Sequence, residues 1–255
     1  MNKQVQELGT EKISKLILKQ AIPASIGILV MSINMIVDTI FVGRWIGVMA
    51  IGAITVALPI VFLLSSIGMG IGIGGSCIIS RALGAKNNSK AFQVFGNQIS
   101  LTVGLSLLFV FLGTFFGLPI LQLFGANGGI VSPAQEYFHV IIWEVPFFTY
   151  AMMGNSVIRA VGKPNYAMLT LIFPAITNIF LDILFIKYMD LGIYGAGLAT
   201  AISYCVSGLF VLWFFLSKKS ELKIIPKHFL INLPILKEII ALGGVTIARQ
   251  GTISL

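Results

Sequence analysis

The sequence predicts an all-α membrane protein, a polytopic bundle of transmembrane helices. Of its 255 residues, 57% are hydrophobic and 10% are charged, and the mean hydropathy is +0.97, well above the range of soluble domains. Apolar runs long enough to cross a bilayer recur along the chain. Gly, Ala and Pro lie inside these runs, and polar and apolar residues do not alternate in short units, which favours helices as the spanning elements.

Six mostly apolar runs are predicted to span the membrane, because each is about 20 or more residues long. The predicted spans cover residues 16–41, 51–79, 92–116, 136–158, 166–187 and 192–216. A seventh run begins near Lys237. The predicted organisation is a six-helix N-terminal lobe over residues 1–216, a cytoplasmic linker over 217–236 and the truncated start of a second lobe over 237–255.

The positive charges fall on one side of this arrangement. Most of the 17 Lys and Arg residues lie in the N-terminal segment and in alternate loops, which are predicted to lie on the same side of the membrane. The positive-inside rule then predicts a multi-pass protein of the cell (plasma) membrane with a cytoplasmic N-terminus. Because the net charge of +8 comes from short clusters between apolar runs, it indicates contact with membrane lipids and no nucleic-acid partner.

Two acids lie in the first and fifth predicted spans, each after a long uncharged stretch that begins at Ala21 or at Pro164. Asp38 is near the end of the first span and Asp182 is in the fifth, and burying such a charge costs several kcal/mol, which is typical of functional groups. Since both spans run outward, both acids are expected about 7 Å from the outer ends of their helices. Asn178 precedes Asp182 by four residues and shares its helical face, and Thr200 in the sixth span is expected to face the same space.

These four side chains predict a cation site. Carboxylate, amide and hydroxyl oxygens are hard ligands that suit Na⁺, and a buried carboxylate also suits proton exchange. The expected coupling ion is H⁺ or Na⁺, with no other cofactor. The competing interpretation is that each acid is neutral or locally bonded and only packs the bundle. Glu144 is a secondary candidate for a relay or a substrate contact, against the alternative of an interfacial acid beside Trp143.

Four prolines fall within predicted spans, and each removes a backbone hydrogen bond and frees a carbonyl. They are Pro23, Pro59, Pro146 and Pro174. Their number favours a transporter-like bundle in which Pro23 and Pro174 bend their helices, with a static kink as the alternative at each.

The glycine-rich run from Gly68 to Gly75 formally contains GxGxxG. A dinucleotide site also needs a preceding strand and a following acid, which this segment lacks. We therefore interpret Gly68 and Gly72 as glycines that permit close helix packing or flexing. No catalytic or metal-ligand spacing appears in the sequence, and an enzyme is not expected.

Several segments resemble, in the same order, the multidrug and toxic compound extrusion (MATE) family. They are Pro23, VDTIFVG (37–43), SRALGAKNNSKA (80–91), RAVGKPNYAM (159–168), TNIFLDILFI (177–186) and GAGLATAIS (195–203). The resemblance implies an efflux antiporter that exchanges H⁺ or Na⁺ for organic, often cationic, amphipathic drugs. It further implies that Asp38, Asn178, Asp182 and Thr200 form the cation site of the N-terminal lobe.

The family's two six-helix lobes enclose the substrate cavity, whereas this chain supplies one lobe and part of a seventh helix. Because alternating access needs two bundles, the expected partner is a missing C-terminal lobe or a second copy. The stop at Leu255 inside an apolar helix favours a fragment of a longer chain over a half-size relative.

Two other functions remain open from the sequence. A lipid-linked saccharide flippase of the same superfamily would need cations in its cavity to hold pyrophosphate, and the mid-membrane charges here are acidic. A non-transporting membrane scaffold or a degenerate fragment is the other alternative.

Overall fold

The computed structural model describes residues 12–217 and 219–251, without the side chains of the last two. The N-terminal end of the predicted first lobe, residues 1–11, and the C-terminal end of the predicted second lobe, residues 252–255, lie outside the described residues. Within the described ranges the regular structure is helical. The α-helices are α1 (Ile13–Trp45), α2 (Val48–Gly84), α3 (Asn88–Leu123), α4 (Val131–Ile141), α5 (Val145–Ala160), α6 (Pro164–Asp182), α7 (Gly192–Leu216) and α8 (Leu233–Gly251).

Shorter turns complete the helical structure. The 3-10 turns are Gly128–Ile130, Ile142–Glu144 and Pro226–Phe229, and a π-helical turn, Ile183–Tyr188, continues α6. Among the described residues, five helices are long and apolar enough to cross a membrane: α1, α2, α3, α6 with its π turn, and α7. The predicted all-α membrane fold is therefore confirmed.

The fourth predicted span, residues 136–158, differs from a single continuous helix. It corresponds to α4 and α5, which are joined by the 3-10 turn Ile142–Glu144. Pro146 lies in the first turn of α5, where its missing N–H removes no helical hydrogen bond. The proline thus starts a new helix at this point instead of kinking a long one.

The distribution of side chains is that of a protein in lipid. Large apolar side chains such as Ile28, Leu107 and Phe115 are exposed on the periphery, while Gln98 and Ser207 are fully buried. An apolar periphery around partly polar helix contacts suits a surrounding bilayer, in which the apolar surface costs nothing. The chain is accordingly a multi-pass membrane protein.

Glycines of α2 allow α5 to approach closely, as the sequence predicts. A Cβ atom at Gly68 would lie 2.8 Å from the carbonyl oxygen of Thr149, and one at Gly72 would lie 2.9 Å from the Cα of Met153. Both distances are too short for a real side chain. The four-residue spacing of the glycines therefore matches that of the α5 residues they contact.

A second pair of glycines on α2 receives α8. A Cβ atom at Gly74 would collide with the carbonyl oxygen of Ile239, and one at Gly70 would collide with Ile247. Gly243 in turn packs directly against the Gly70 backbone. The segment predicted to begin a second lobe thus packs against α2 of the first.

The predicted linker is held on α3 by side chains. The Asn97 amide donates to the carbonyl oxygen of His228 at 3.3 Å, and its Oδ1 accepts from the N–H of Asn232 at 2.7 Å. The Ser100 hydroxyl donates to the carbonyl oxygen of Phe229 at 2.8 Å. These bonds satisfy backbone groups that lack a partner in regular structure, so the linker is docked on the bundle.

Candidate cation-binding site

Helices α1 and α6 pack side by side, in register and running in the same direction. A Cβ atom at Gly27 would lie 2.9 Å from Cδ1 of Leu171, and the Nδ2 of Asn34 donates to the Oδ1 of Asn178 at 3.0 Å. The two residues of each pair are 144 positions apart in the chain. A constant separation over two turns requires parallel helices that stay in step.

This register brings the two predicted acids together. One turn beyond the amide pair, the carboxyl groups of Asp38 and Asp182 lie within hydrogen-bonding reach of each other. Asp182 is fully buried and Asp38 is half-buried. Neither oxygen of Asp182, nor Oδ1 of Asp38, receives a hydrogen bond from a described group. Ionised carboxylates contain no donor, so two of them this close repel each other, and a proton or another cation between their oxygens would remove that repulsion.

The amide pair leaves two further polar atoms open. The Oδ1 of Asn34 and the Nδ2 of Asn178 are buried and have no hydrogen-bond partner among the described groups. The structure thus brings three of the four predicted residues together and adds Asn34, which we did not predict. The available signal was the spacing, because an Asn four residues before an Asp occurs in both helices.

Thr200 borders this group through a tyrosine. Its hydroxyl donates to the carbonyl oxygen of Ala196 in its own helix at 3.0 Å and lies within hydrogen-bonding reach of the Tyr137 hydroxyl. Tyr137 is buried and close enough to Asp38 for the two side chains to interact electrostatically. No pattern in the sequence indicates a role for Tyr137, since one aromatic residue in an apolar run is usually part of the core.

Glu144 points into the bundle. It is 3% exposed, whereas the adjacent Trp143 is 58% exposed, so the two side chains face opposite ways. The Oε2 of Glu144 has no hydrogen-bond partner among the described groups. This burial argues against the interpretation of Glu144 as an interfacial acid.

The two helix-bending candidates lie within continuous helices, Pro23 in α1 and Pro174 in α6. Because Pro174 has no N–H, the carbonyl of Thr170 loses its helical partner. The hydroxyl of Ser207, in α7, donates to that carbonyl oxygen at 2.7 Å. The freed acceptor at Pro174 is therefore fixed to a neighbouring helix, and bending there stays a prediction, as it does at Pro23.

A π-helical turn follows Asp182 directly, and π turns inside helices are frequent at functional sites. The ammonium of Lys187, within this turn, lies 5.7 Å from the ring centroid of Trp45 and 5.5 Å from that of Tyr188. Trp45 is the last residue of α1. A cation–π contact thus joins the ends of the two acid-bearing helices.

An apolar multi-span bundle with acids and amides buried between two parallel helices has the architecture of a membrane transporter. The MatE family model matches residues 23–184, and the chain belongs to this family. The resemblance found in the sequence is thereby confirmed. Members of the family are transporters, so the chain is not an enzyme.

Two relatives illustrate the match. The chain is 31% identical to the probable multidrug resistance protein YoeA of Bacillus subtilis over 204 residues, which is 78% of this chain and 44% of that protein. It is 30% identical to the multidrug export protein MepA of Staphylococcus aureus (strain N315) over 223 residues, or 88% of this chain and 49% of MepA. The chain spans about half the length of the curated relatives it matches.

Solved structures match nearly the whole chain. One is a crystal structure of MATE in complex with MaD3S, with a TM-score of 0.91 and 27% identity, covering 98% of this chain and 56% of that one. Another is an outward-facing multidrug resistance MATE family transporter of the MOP superfamily, with a TM-score of 0.90, 27% identity, and coverage of 98% and 55%.

Proposed function

We propose that this chain forms half of an exporter that exchanges drugs for H⁺ or Na⁺ across the plasma membrane, with its N-terminus in the cytoplasm. The observation that carries the proposal is the contact between Asp38 and Asp182, two acids whose buried oxygens lack a donor. The names of the relatives YoeA and MepA support drug export. A second six-helix lobe or a second copy of this chain supplies the other half.

The acid pair acts as an electrostatic link between α1 and α6. With both carboxylates ionised, two like charges at hydrogen-bonding distance repel each other strongly in the membrane interior. A bound cation removes this repulsion and draws the helices together. The structure buries three residues of α1, which are Pro23, Gly27 and Val42, and seven residues of α6, so we expect α1 to move more easily than α6. Movement of α1 then changes the cavity between the two halves.

The available ligands fit a monovalent cation. The unpartnered oxygens of Asp38, Asp182 and Asn34 would hold Na⁺ through hard oxygen atoms, and the two carboxyl groups alone would share a proton. Within the described residues no group of three or more His, Cys, Asp and Glu is present, which disfavours a more highly charged metal ion.

The charges in the bundle also favour organic cations as cargo. Among the described residues, the buried charged side chains are the two acids Glu144 and Asp182. A flippase for a pyrophosphate-linked lipid would need buried cations in the same region. We therefore propose cationic, amphipathic drugs as substrates.

Uptake into everted vesicles that contain the full-length gene product tests this proposal, with proton and sodium gradients imposed separately, because an exporter in an inside-out vesicle moves its substrate into the lumen. We expect one gradient to drive export of a fluorescent organic cation, and the Asp38→Asn, Asp182→Asn double variant to lose that response. Glu136→Gln, which changes an exposed acid on α4, is the matched control and should transport normally. Unchanged export by the double variant would refute the proposal.

A further inference from the structure

The face formed by α4 and α5 carries polar groups that the acid pair does not use. Tyr137, Glu144 and Phe148 lie seven and then four residues apart, and so share one side of this broken span. Phe148 packs edge-on against Tyr204 of α7, with ring centroids 4.5 Å apart. A Cβ atom at Gly197 of α7 would lie 3.4 Å from Cδ2 of Tyr137. Glu144 therefore lies, along the chain, between two residues that contact α7, Tyr137 and Phe148.

The 3-10 turn sets the position of Glu144. Glu144 is the last residue of this turn and is nearly fully buried. Its Oε2 has no hydrogen-bond partner among the described groups. No described cation forms an ion pair with it. A buried carboxylate without a counter-charge is far more costly than the neutral carboxylic acid, so this environment selects the form that carries a proton.

The ionisable groups near Glu144 come from three helices. Tyr137 on α4 and Tyr204 on α7 are both within electrostatic range of Glu144 and also of Asp38 on α1. Cys205, next to Tyr204, is within range of Glu144 as well. Both tyrosine side chains are thus close to Glu144 and to Asp38, and none of the neighbouring groups named here is a cation.

We propose that Glu144 is a second proton-binding site of this lobe, distinct from the Asp38–Asp182 pair, with Tyr137 and Tyr204 close both to it and to Asp38. The inference deepens the proposed function and rests on it for its role, because a second proton site allows the lobe to carry one proton in addition to the cation held by the pair. The existence of the site does not depend on which ion the pair binds.

Infrared difference spectroscopy of the full-length protein, titrated with acid, tests the site without any transport assay. A carboxyl group that takes up a proton gains a carboxylic C=O stretching band. We expect one such band to vanish in Glu144→Gln and to persist both in Glu136→Gln and in the Asp38→Asn, Asp182→Asn double variant. Since Tyr204→Phe removes a neighbouring hydroxyl and keeps the acid, it should shift the same band.

Three results would overturn the inference. The first is a spectrum of folded Glu144→Gln identical to that of the wild type. The second is the loss of every titrating band in the Asp38→Asn, Asp182→Asn double variant, which would leave the proposed cation pair standing and remove Glu144. The third is a spectrum in which Tyr204→Phe changes none of the bands. This third result would overturn the inference even if Glu144→Gln fails to fold.

Discussion

The amide of Asn34 donates to the amide oxygen of Asn178 at 3.0 Å, across the contact between α1 and α6. This bond lies one helical turn before the two acids and joins the same two helices. It fixes the register that places Asp38 beside Asp182, so it supports the cation site without being one of its charged groups. In the proposed function, a cation between the acids completes an interface that the amides have already aligned.

Replacing Asn34 should weaken cation binding. In Asn34→Ala the bridge is lost and the buried Oδ1 of Asn178 loses its donor, a change that costs about 1–3 kcal/mol. We expect at least a fivefold loss of cation affinity, measured by calorimetry. Ser32→Ala is the control, because Ser32 is exposed and its hydroxyl donates to the carbonyl oxygen of Ile28 in its own helix. Equal affinities in the two variants would show that the bridge does not organise the site.

The hydrogen bond from Ser207 to the carbonyl freed by Pro174 can be tested with a double-mutant cycle. Ser207→Ala leaves the Thr170 carbonyl without a donor and should lower the free energy of unfolding by about 1–2 kcal/mol. Pro174→Ala restores the N–H that can bond this carbonyl, so Ser207→Ala should cost much less in that background. Thermal unfolding measures both effects. Ser203→Ala is the control, because its hydroxyl bonds within its own helix. Additive effects of the two changes would contradict the assignment.

The contact between α2 and α8 should not tolerate a methyl group. In Gly74→Ala the new Cβ meets the rigid carbonyl of Ile239, and overpacking of this kind costs about 1–3 kcal/mol, seen as a lower Tm. In Gly104→Ala the new Cβ meets nothing within 4 Å, so Tm should stay constant or rise slightly. Similar Tm values for the two variants would mean that α8 does not pack on α2 as described.

Release of the linker should be visible as local opening. Asn97→Ala removes the donor to His228 and the acceptor for Asn232. We expect faster hydrogen exchange at the amides of residues 228–232, with little change in the transmembrane helices. Asn127→Ala, in an exposed turn on another loop, serves as the control. Unchanged exchange in Asn97→Ala would show that the linker is held by other contacts.

The helical fold and the paired acids were predictable because lipid imposes simple rules. Long apolar runs must be helical, and an acid within such a run stands out against its surroundings. The same rules missed the break at Ile142–Glu144, because hydropathy does not reveal a 3-10 turn inside an apolar segment. Pro146 was visible in the sequence, but a proline at a helix start and one at a kink give the same hydropathy pattern.

The role of Asn34 could have been predicted from the sequence. The pattern Asn-x-x-x-Asp-x-x-Phe occurs once at 34–41 and again at 178–185, in two spans predicted to run in the same direction. Parallel helices with matched patterns favour pairing in register. Tyr137, Tyr204 and Ser207 could not be found in this way, because their roles arise from contacts between helices that are distant in sequence.

The most direct test of the cation site is a binding cycle on Asp38→Asn and Asp182→Asn, made singly and together in the purified full-length protein. Sodium binding by calorimetry and drug-induced proton release with a pH dye report the two candidate ions. If the carboxyl groups share one cation, each single substitution should abolish as much binding as the double substitution does. Additive partial losses, or wild-type binding by the double variant, would contradict the account.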